Sequence, residues 1–184
     1  MLLLADTSRY TRGAISVVAT LAQLAAAIAL LAVAGGGVPG VWPDGVGVYL
    51  VGDWPAPFGI VLVVDRLAAV MLTLTAVLGL ATLIYALARW DRAGVHFHSL
   101  FQFLLMGLNG AFLTGDLFNL FVFFEVLLAA SYGLLLHGSG VARVSAGLQY
   151  IAVNLVASFL LLISIALIYG VTGTLNMADL ALRA

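Results

Sequence analysis

Five stretches of this chain stay apolar for long enough to cross a lipid bilayer, and that feature limits its fold more than any other. They are Ala14–Ala34, Leu67–Ala88, Val95–Leu113, Leu117–Leu136 and Leu148–Tyr169. An α-helix rises about 1.5 Å per residue, so about 20 residues cross a hydrocarbon core of roughly 30 Å. Lipid offers the backbone no hydrogen bonds, and a segment inside it must satisfy its own as a helix. The apolar residues neither alternate nor keep to one helical stripe, as they would in a water-soluble domain. Of the 184 residues, 64% are hydrophobic and 8% charged, where a soluble domain carries about a quarter charged. The expected fold is therefore an all-α integral membrane protein. It is a single membrane domain, a polytopic bundle of about five transmembrane helices over residues 14–34, 67–88, 95–113, 117–136 and 148–169.

The third run is the least apolar, being interrupted by His96, His98, Gln102 and Asn109. Only Thr114, Gly115 and Asp116 separate it from the fourth, so those two helices form a tight antiparallel hairpin. The charges alternate between loops. Arg9 and Arg12 precede the first span, Arg89 and Arg92 follow the second, and Arg143 follows the fourth. The opposite loops hold Asp44, Asp53, Asp65 and Asp116, with Arg66 as their one base before the tail. Arginine-bearing loops stay inside, which places the N-terminus in the cytoplasm. The first run exceeds the roughly 7–15 residues of a signal-peptide core, and it reads as a permanent helix.

One long loop, residues 35–65, faces outside. Within it Val46–Val51 and Gly59–Val64 are β-prone and flank the turn residues Gly52-Asp53-Trp54-Pro55-Ala56-Pro57. That pattern suggests a short extracytoplasmic β-hairpin, with an irregular cap as the alternative. Trp42, Tyr49 and Trp54 suit the membrane interface.

Composition also excludes whole classes of function. With seven basic and eight acidic residues, the chain has no basic patch for nucleic acid. With no cysteine, it forms no disulfide, Cys-ligated zinc site or iron–sulfur centre of its own. No phosphate loop, nucleophile–base pair or cofactor fingerprint is present, so no cofactor and no enzymatic site are expected.

The residue that stands out is Glu125, the single glutamate of the chain. It lies nine residues from Asp116 and twelve from His137, roughly 13 Å and 18 Å along the fourth helix, close to the midplane. An acid at a helix centre costs about 2.5–3.5 kcal/mol on insertion scales and therefore tends to face protein or water. Phe123, Phe124, Val126 and Leu127 offer it no local partner. A carboxyl balanced between an apolar surround and a cation from another helix can take up and release a proton, as an ion relay requires. The alternative is a structural glutamate, neutralised by a partner or permanently protonated. The chain has no lysine and its arginines sit near span ends, so a cation at midplane depth must come from elsewhere.

Weaker polar signals surround Glu125. Gln102 and Asn109 share one helix face, and Asn154 and Ser158 are an i, i+4 pair in the last span; such groups either glue helices together or line a hydrated route. His137 ends the fourth helix, where it either passes protons between bulk water and the interior or is simply solvated. His137 and Asn154 are thus candidate accessories to Glu125. His96 and His98 lie on roughly opposite helix faces, which argues against a shared metal. Asp116 should cap the fourth helix, and Gly107/Ala111 and Thr75/Gly79 favour close helix contact.

The run from Thr114-Gly115-Asp116-Leu117-Phe118-Asn119 through Phe123-Phe124-Glu125 to Tyr132-Gly133-Leu134-Leu135 resembles one helix of a known family. That helix is the glutamate-bearing one of the D subunit of the Mrp-type multisubunit monovalent cation/proton antiporters, relatives of the antiporter-like subunits of respiratory complex I. Trp54-Pro55-Ala56-Pro57-Phe58-Gly59-Ile60, followed by Val64-Asp65-Arg66-Leu67, is similar to the hairpin before the third helix of that protein. The resemblance implies that Glu125 is the translocating carboxyl, working with a lysine in a later broken helix. It implies about fourteen helices in two inverted repeats, of which this chain would hold the second to sixth. Residues 1–4 would then be a remnant of the first helix, and the chain reads as an N-terminal fragment or truncated reading frame that does not transport alone. The implied setting is a prokaryotic inner membrane, the implied partners are other membrane subunits of one complex, and the implied ions are protons and Na⁺ or another monovalent cation. Three functions follow: a membrane component of an antiporter, a proton-pumping component of an NADH–quinone oxidoreductase or membrane-bound hydrogenase, and a non-transporting scaffold.

Overall fold

The computed structural model describes residues 9–38, 40–54, 59–94, 96–138 and 140–183. The expected remnant at residues 1–4, Val95 at the head of the third run, and residues 55–58 of the hairpin turn lie outside them. The described elements are α1 (Arg9–Ala34), β1 (Gly47–Leu50), β2 (Val61–Val64), α2 (Arg66–Arg89), α3 (Phe97–Leu113), α4 (Leu117–Leu135), α5 (Val141–Thr172) and α6 (Met177–Arg183). Four helices (α1, α2, α4 and α5) are long and apolar enough to cross a membrane, and α3 is a shorter apolar helix. The protein is an all-α membrane bundle with one small sheet.

Helix ends follow local chemistry. Asp65 Oδ1 accepts the Ala68 N–H at 2.7 Å, and Asp116 Oδ1 accepts the Asn119 N–H at 2.9 Å, capping α2 and α4. Gly173 ends α5 in the left-handed region at φ 70°, where glycine avoids a Cβ clash. Hydroxyls facing the apolar surround bond their own helix: Thr73 to the Ala69 carbonyl, Thr82 to Leu78, Ser164 to Leu160 and Thr172 to Ile168.

The helices run alternately up and down, with α1 packed mainly on α2 and α3 mainly on α4. Glycines let the α3–α4 hairpin close. A Cβ on Gly107 would stand 2.8 Å from the Leu127 backbone nitrogen, and one on Gly110 would run into the Phe123 ring. Gly79 gives α2 the same freedom against Leu105 of α3. An apolar cluster of Leu83, Ala86, Phe97, Phe101 and Leu105 binds α2 to α3 near the arginine-bearing end.

At the opposite end β1 and β2 pair antiparallel, Gly47 with Val64 through Leu50 with Val61. Their β-branched and aromatic residues favour strands, and β2 lies on the α3–α4 turn, where the Gly115 N–H donates to the Val61 carbonyl at 2.8 Å. The same turn is held from its other side, because the Met177 N–H donates to the Gly115 carbonyl at 2.8 Å. Helix α5 starts at Val141, seven residues ahead of the apolar run, since Arg143 and Ser145 are polar but do not break a helix.

Candidate functional site

Glu125 sits one residue from the middle of α4. Its neighbours two positions away, Phe123 and Leu127, are the ones seated on Gly110 and Gly107 of α3. Two residues are about 200° around a helix, so Glu125 faces away from α3. Tyr132, seven residues on, returns to the Glu125 face within about 20°. Its ring packs edge-on against Tyr150 of α5 at 5.7 Å, and Ser131 Oγ lies 3.3 Å from the Tyr150 hydroxyl. The carboxyl thus belongs to the α5 side of α4. Glu125 is half-buried; its Oε1 is shut off from solvent and has no hydrogen-bond partner among the described residues.

Pairing of Gly147 with Leu136, and of Tyr150 with Tyr132, fixes the α4–α5 register. It brings Ala157 and Ser158 to the level of Glu125 and leaves Asn154 one turn nearer the arginine-bearing end. Asn154 spends its amide on its own helix, donating to the Tyr150 carbonyl at 2.8 Å. Ser158 is buried. Sequence spacing paired Ser158 with Asn154 but could not show which of the two shares the depth of Glu125.

His137 is not solvated. It is 7% exposed, because the α2–α3 link folds over it: Trp90 and Phe97 hold its ring at 5.9 Å and 5.5 Å, and its Nε2 lies 3.2 Å from the Trp90 carbonyl oxygen. Arg143 completes this box, with its guanidinium 4.9 Å over the Trp90 ring and Nη1 donating to the His137 carbonyl. His137 remains roughly 18 Å along α4 from Glu125, so the two do not meet. His96 precedes α3 and is exposed, whereas His98 is buried 4.0 Å from Asp91. Among the described residues no group of three or more His, Cys, Asp or Glu could hold a metal ion. Gln102 turns to α1, where its Nε2 donates to Thr20 Oγ1 at 3.1 Å and to the Ser16 carbonyl at 3.2 Å.

A lone carboxyl at mid-depth, with one oxygen unpartnered and no ion pair among the described residues, is costly to hold charged in an apolar surround.

Comparisons with known proteins agree on the kind of chain that carries this site. Residues 114–184 match the family described as NADH:quinone oxidoreductase/Mrp antiporter, TM. The D subunit of a probable K(+)/H(+) antiporter of Rhizobium meliloti (strain 1021) is 62% identical over 178 residues, which are 97% of this chain and 33% of that one. The D subunit of a Na(+)/H(+) antiporter of Alkalihalophilus pseudofirmus is 48% identical over 145 residues, 78% of this chain and 29% of that one. Among solved structures, the Mrp complex of Dietzia sp. DQ12-45-1b matches with TM-score 0.80 at 41% identity, over 92% of this chain and 31% of that chain. The membrane-bound sulfane sulfur reductase, an archaeal respiratory membrane complex, matches with TM-score 0.82 at 32% identity, over 94% and 34%. The chain spans about a third of the length of the curated relatives it matches.

Proposed function

The chain belongs to the family of antiporter-like membrane subunits that includes the D subunit of the Mrp antiporters, and we propose that it serves in a multisubunit antiporter exchanging a monovalent cation for protons. Glu125 is the carboxyl that takes up and releases the proton. The observation that carries this reading is the placement of Glu125: mid-helix, on the α5 side, with Oε1 unpartnered among the described residues. Ser158 lies at the same depth and supplies a hydroxyl that can pass a proton or accept a water; Asn154 one turn away and the buried His137 are accessory candidates on the arginine side. That side is cytoplasmic by the arginine bias, in a prokaryotic cell membrane, with other membrane subunits of the same complex around the bundle.

The more similar of the two named relatives bears K(+) in its name and the other Na(+), so K⁺ is the first cation to test, with Na⁺ beside it. The second reading, a component of a redox-driven pump, has one specific observation in its favour, the TM-score of 0.82 to an archaeal respiratory membrane complex. The higher identity of the antiporter relatives ranks it behind. The test is purification of the native complex, mass spectrometry of its subunits, and reconstitution with a pH-sensitive dye. A K⁺ or Na⁺ gradient that moves protons without any redox substrate, in a particle lacking flavin and iron–sulfur subunits, supports the antiporter. Proton movement that needs a reductant contradicts it.

A further inference from the structure

The α1–α3 seam carries a second set of polar groups that the Glu125 reading does not use. On α1, Gly13, Ser16, Thr20 and Gln23 recur at spacings of three and four, and on α3 His98, Gln102 and Asn109 lie four and seven residues apart. These spacings put each set on one helix face. The two helices run parallel, and two contacts set their register. A Cβ on Gly13 would meet the His98 ring at 3.9 Å, and Gln102 bonds Ser16 and Thr20. Carried two turns further, the same register puts Asn109 level with Gln23. In the α3–α4 hairpin, Gly107 on Leu127 and Gly110 on Phe123 put Asn109 level with Glu125. The polar seam therefore runs from the arginine-bearing end to the depth of the carboxyl, which lies across the α3–α4 hairpin on the α5 side.

If these groups only glued the helices together, their polar atoms would be paired with one another. Three are not. Ser16, which is fully buried, has no partner for Oγ, and neither Gln23 Oε1 nor Asn109 Oδ1 has one among the described residues. Elsewhere in the bundle Thr73, Thr82, Ser164 and Thr172 satisfy their hydroxyls on their own helices, and within the seam Thr20 Oγ1 does the same, donating to the Ser16 carbonyl at 2.9 Å. Ser16 could do so too and does not. Buried polar atoms left open in a row are where internal water binds. At the arginine-bearing end, a cavity of about 450 Å³ is lined by Gly13, Val17 and Asp91, and Gly13 stands three residues before Ser16 on α1.

We propose that the α1–α3 seam is a water-filled proton path, lined by Ser16, Thr20, Gln23, Gln102 and Asn109, leading from the Gly13–Asp91 cavity to the depth of Glu125. Hydroxyls and carboxamides each donate and accept, which a hydrogen-bonded water chain needs. No acidic residue of the chain falls between Asp91 and Asn109 on α3, or anywhere within α1, so the seam offers no fixed charge to a dehydrated metal cation and suits protons instead. The path rests on the reading that this chain moves protons.

The chain contains no cysteine, so single cysteines in it are clean reporters. In the assembled complex, Ser16→Cys and Asn109→Cys are exposed to hydroxyl radicals from water radiolysis, beside Ala86→Cys in the apolar cluster. Sulfur oxidation at the first two at least about ten times faster than at the third indicates water in the seam. In reconstituted vesicles, Asn109→Leu should lower cation-driven proton flux at least about tenfold, with normal assembly, while Asn109→Ser keeps it. A dry seam overturns the path, and so does a wet seam with Asn109→Leu at full flux. Glu125→Gln in the same vesicles separates the two claims. If Glu125→Gln is silent for flux, the proposed function falls. If it is inactive while Asn109→Leu is normal, only the path falls.

Discussion

Glu125, half-buried, and His137, buried, differ in how far the sequence alone places them. The depth of Glu125 follows from residue counting, because α4 is uninterrupted from Leu117 to Leu135. The face it occupies does not, because that depends on which α4 residues rest on Gly107 and Gly110 across the hairpin. His137 marks a sharper limit. Its burial comes from Trp90 and Phe97, distant in sequence and brought over it by the α2–α3 link, and no local pattern around His137 announces them. We expect His137→Ala to loosen this corner by about 1–3 kcal/mol, through the lost ring contacts and the unpaired Trp90 carbonyl. Faster amide exchange across residues 136–144 of the assembled protein would show it; unchanged exchange would mean the box adds no stability.

Among the elements, the α3–α4 hairpin is the most tightly specified. Its three-residue turn, its cap at Asp116 and its contact residue Gly107 are evident in the sequence, whereas Gly110 against Phe123 shows only in the structure. Gly107→Leu would push a side chain into the Leu127 backbone; overpacking of this kind costs about 1–3 kcal/mol or more, and the yield of assembled complex should fall. Asp116→Ala removes the bond to the Asn119 N–H and should cost about 1 kcal/mol, read as a lower melting temperature of the complex. The early start of α5 and the short α6 were harder to anticipate. Hydropathy marks where lipid begins, not where a helix does, and α6 is a short piece tied to the α3–α4 turn through the Met177 N–H and to the end of α5 through Arg183. Hydrogen bonds from Thr174 and Arg183 hold the Asp179 carboxyl below the usual aspartate range. With a lowered folded value, the contact is present at neutral pH and is lost only as pH falls through that value. Amide exchange of residues 177–183, corrected for intrinsic rates, should therefore be slow at pH 7 and quicken once Asp179 is protonated.

At the scale of the molecule, five of the seven arginines belong to one end of the bundle, and the β-hairpin with α6 closes the other, where Arg66 and Arg183 lie. Many large apolar side chains are exposed, including Val153, Leu160 and Leu167 along α5, as surfaces facing lipid or neighbouring proteins require. The arginine bias makes an orientation testable: Gly138→Cys should react with an impermeant thiol reagent from the cytoplasmic side and Val46→Cys from the opposite side. Reversed labelling would turn the bundle over. The general architecture could be read early because long apolar runs allow lipid few alternatives to helices. The site could be read only in part, because its key relations join residues of different helices.

Cation-driven proton movement by the reconstituted full-length complex carrying Glu125→Gln, with its composition checked in parallel, bears most directly on the role of the carboxyl. A glutamine keeps the size of the side chain and removes the exchangeable proton. We expect a fully assembled complex in which K⁺ or Na⁺ gradients no longer move protons. Full assembly with wild-type proton flux would refute that role and leave Glu125 a structural residue.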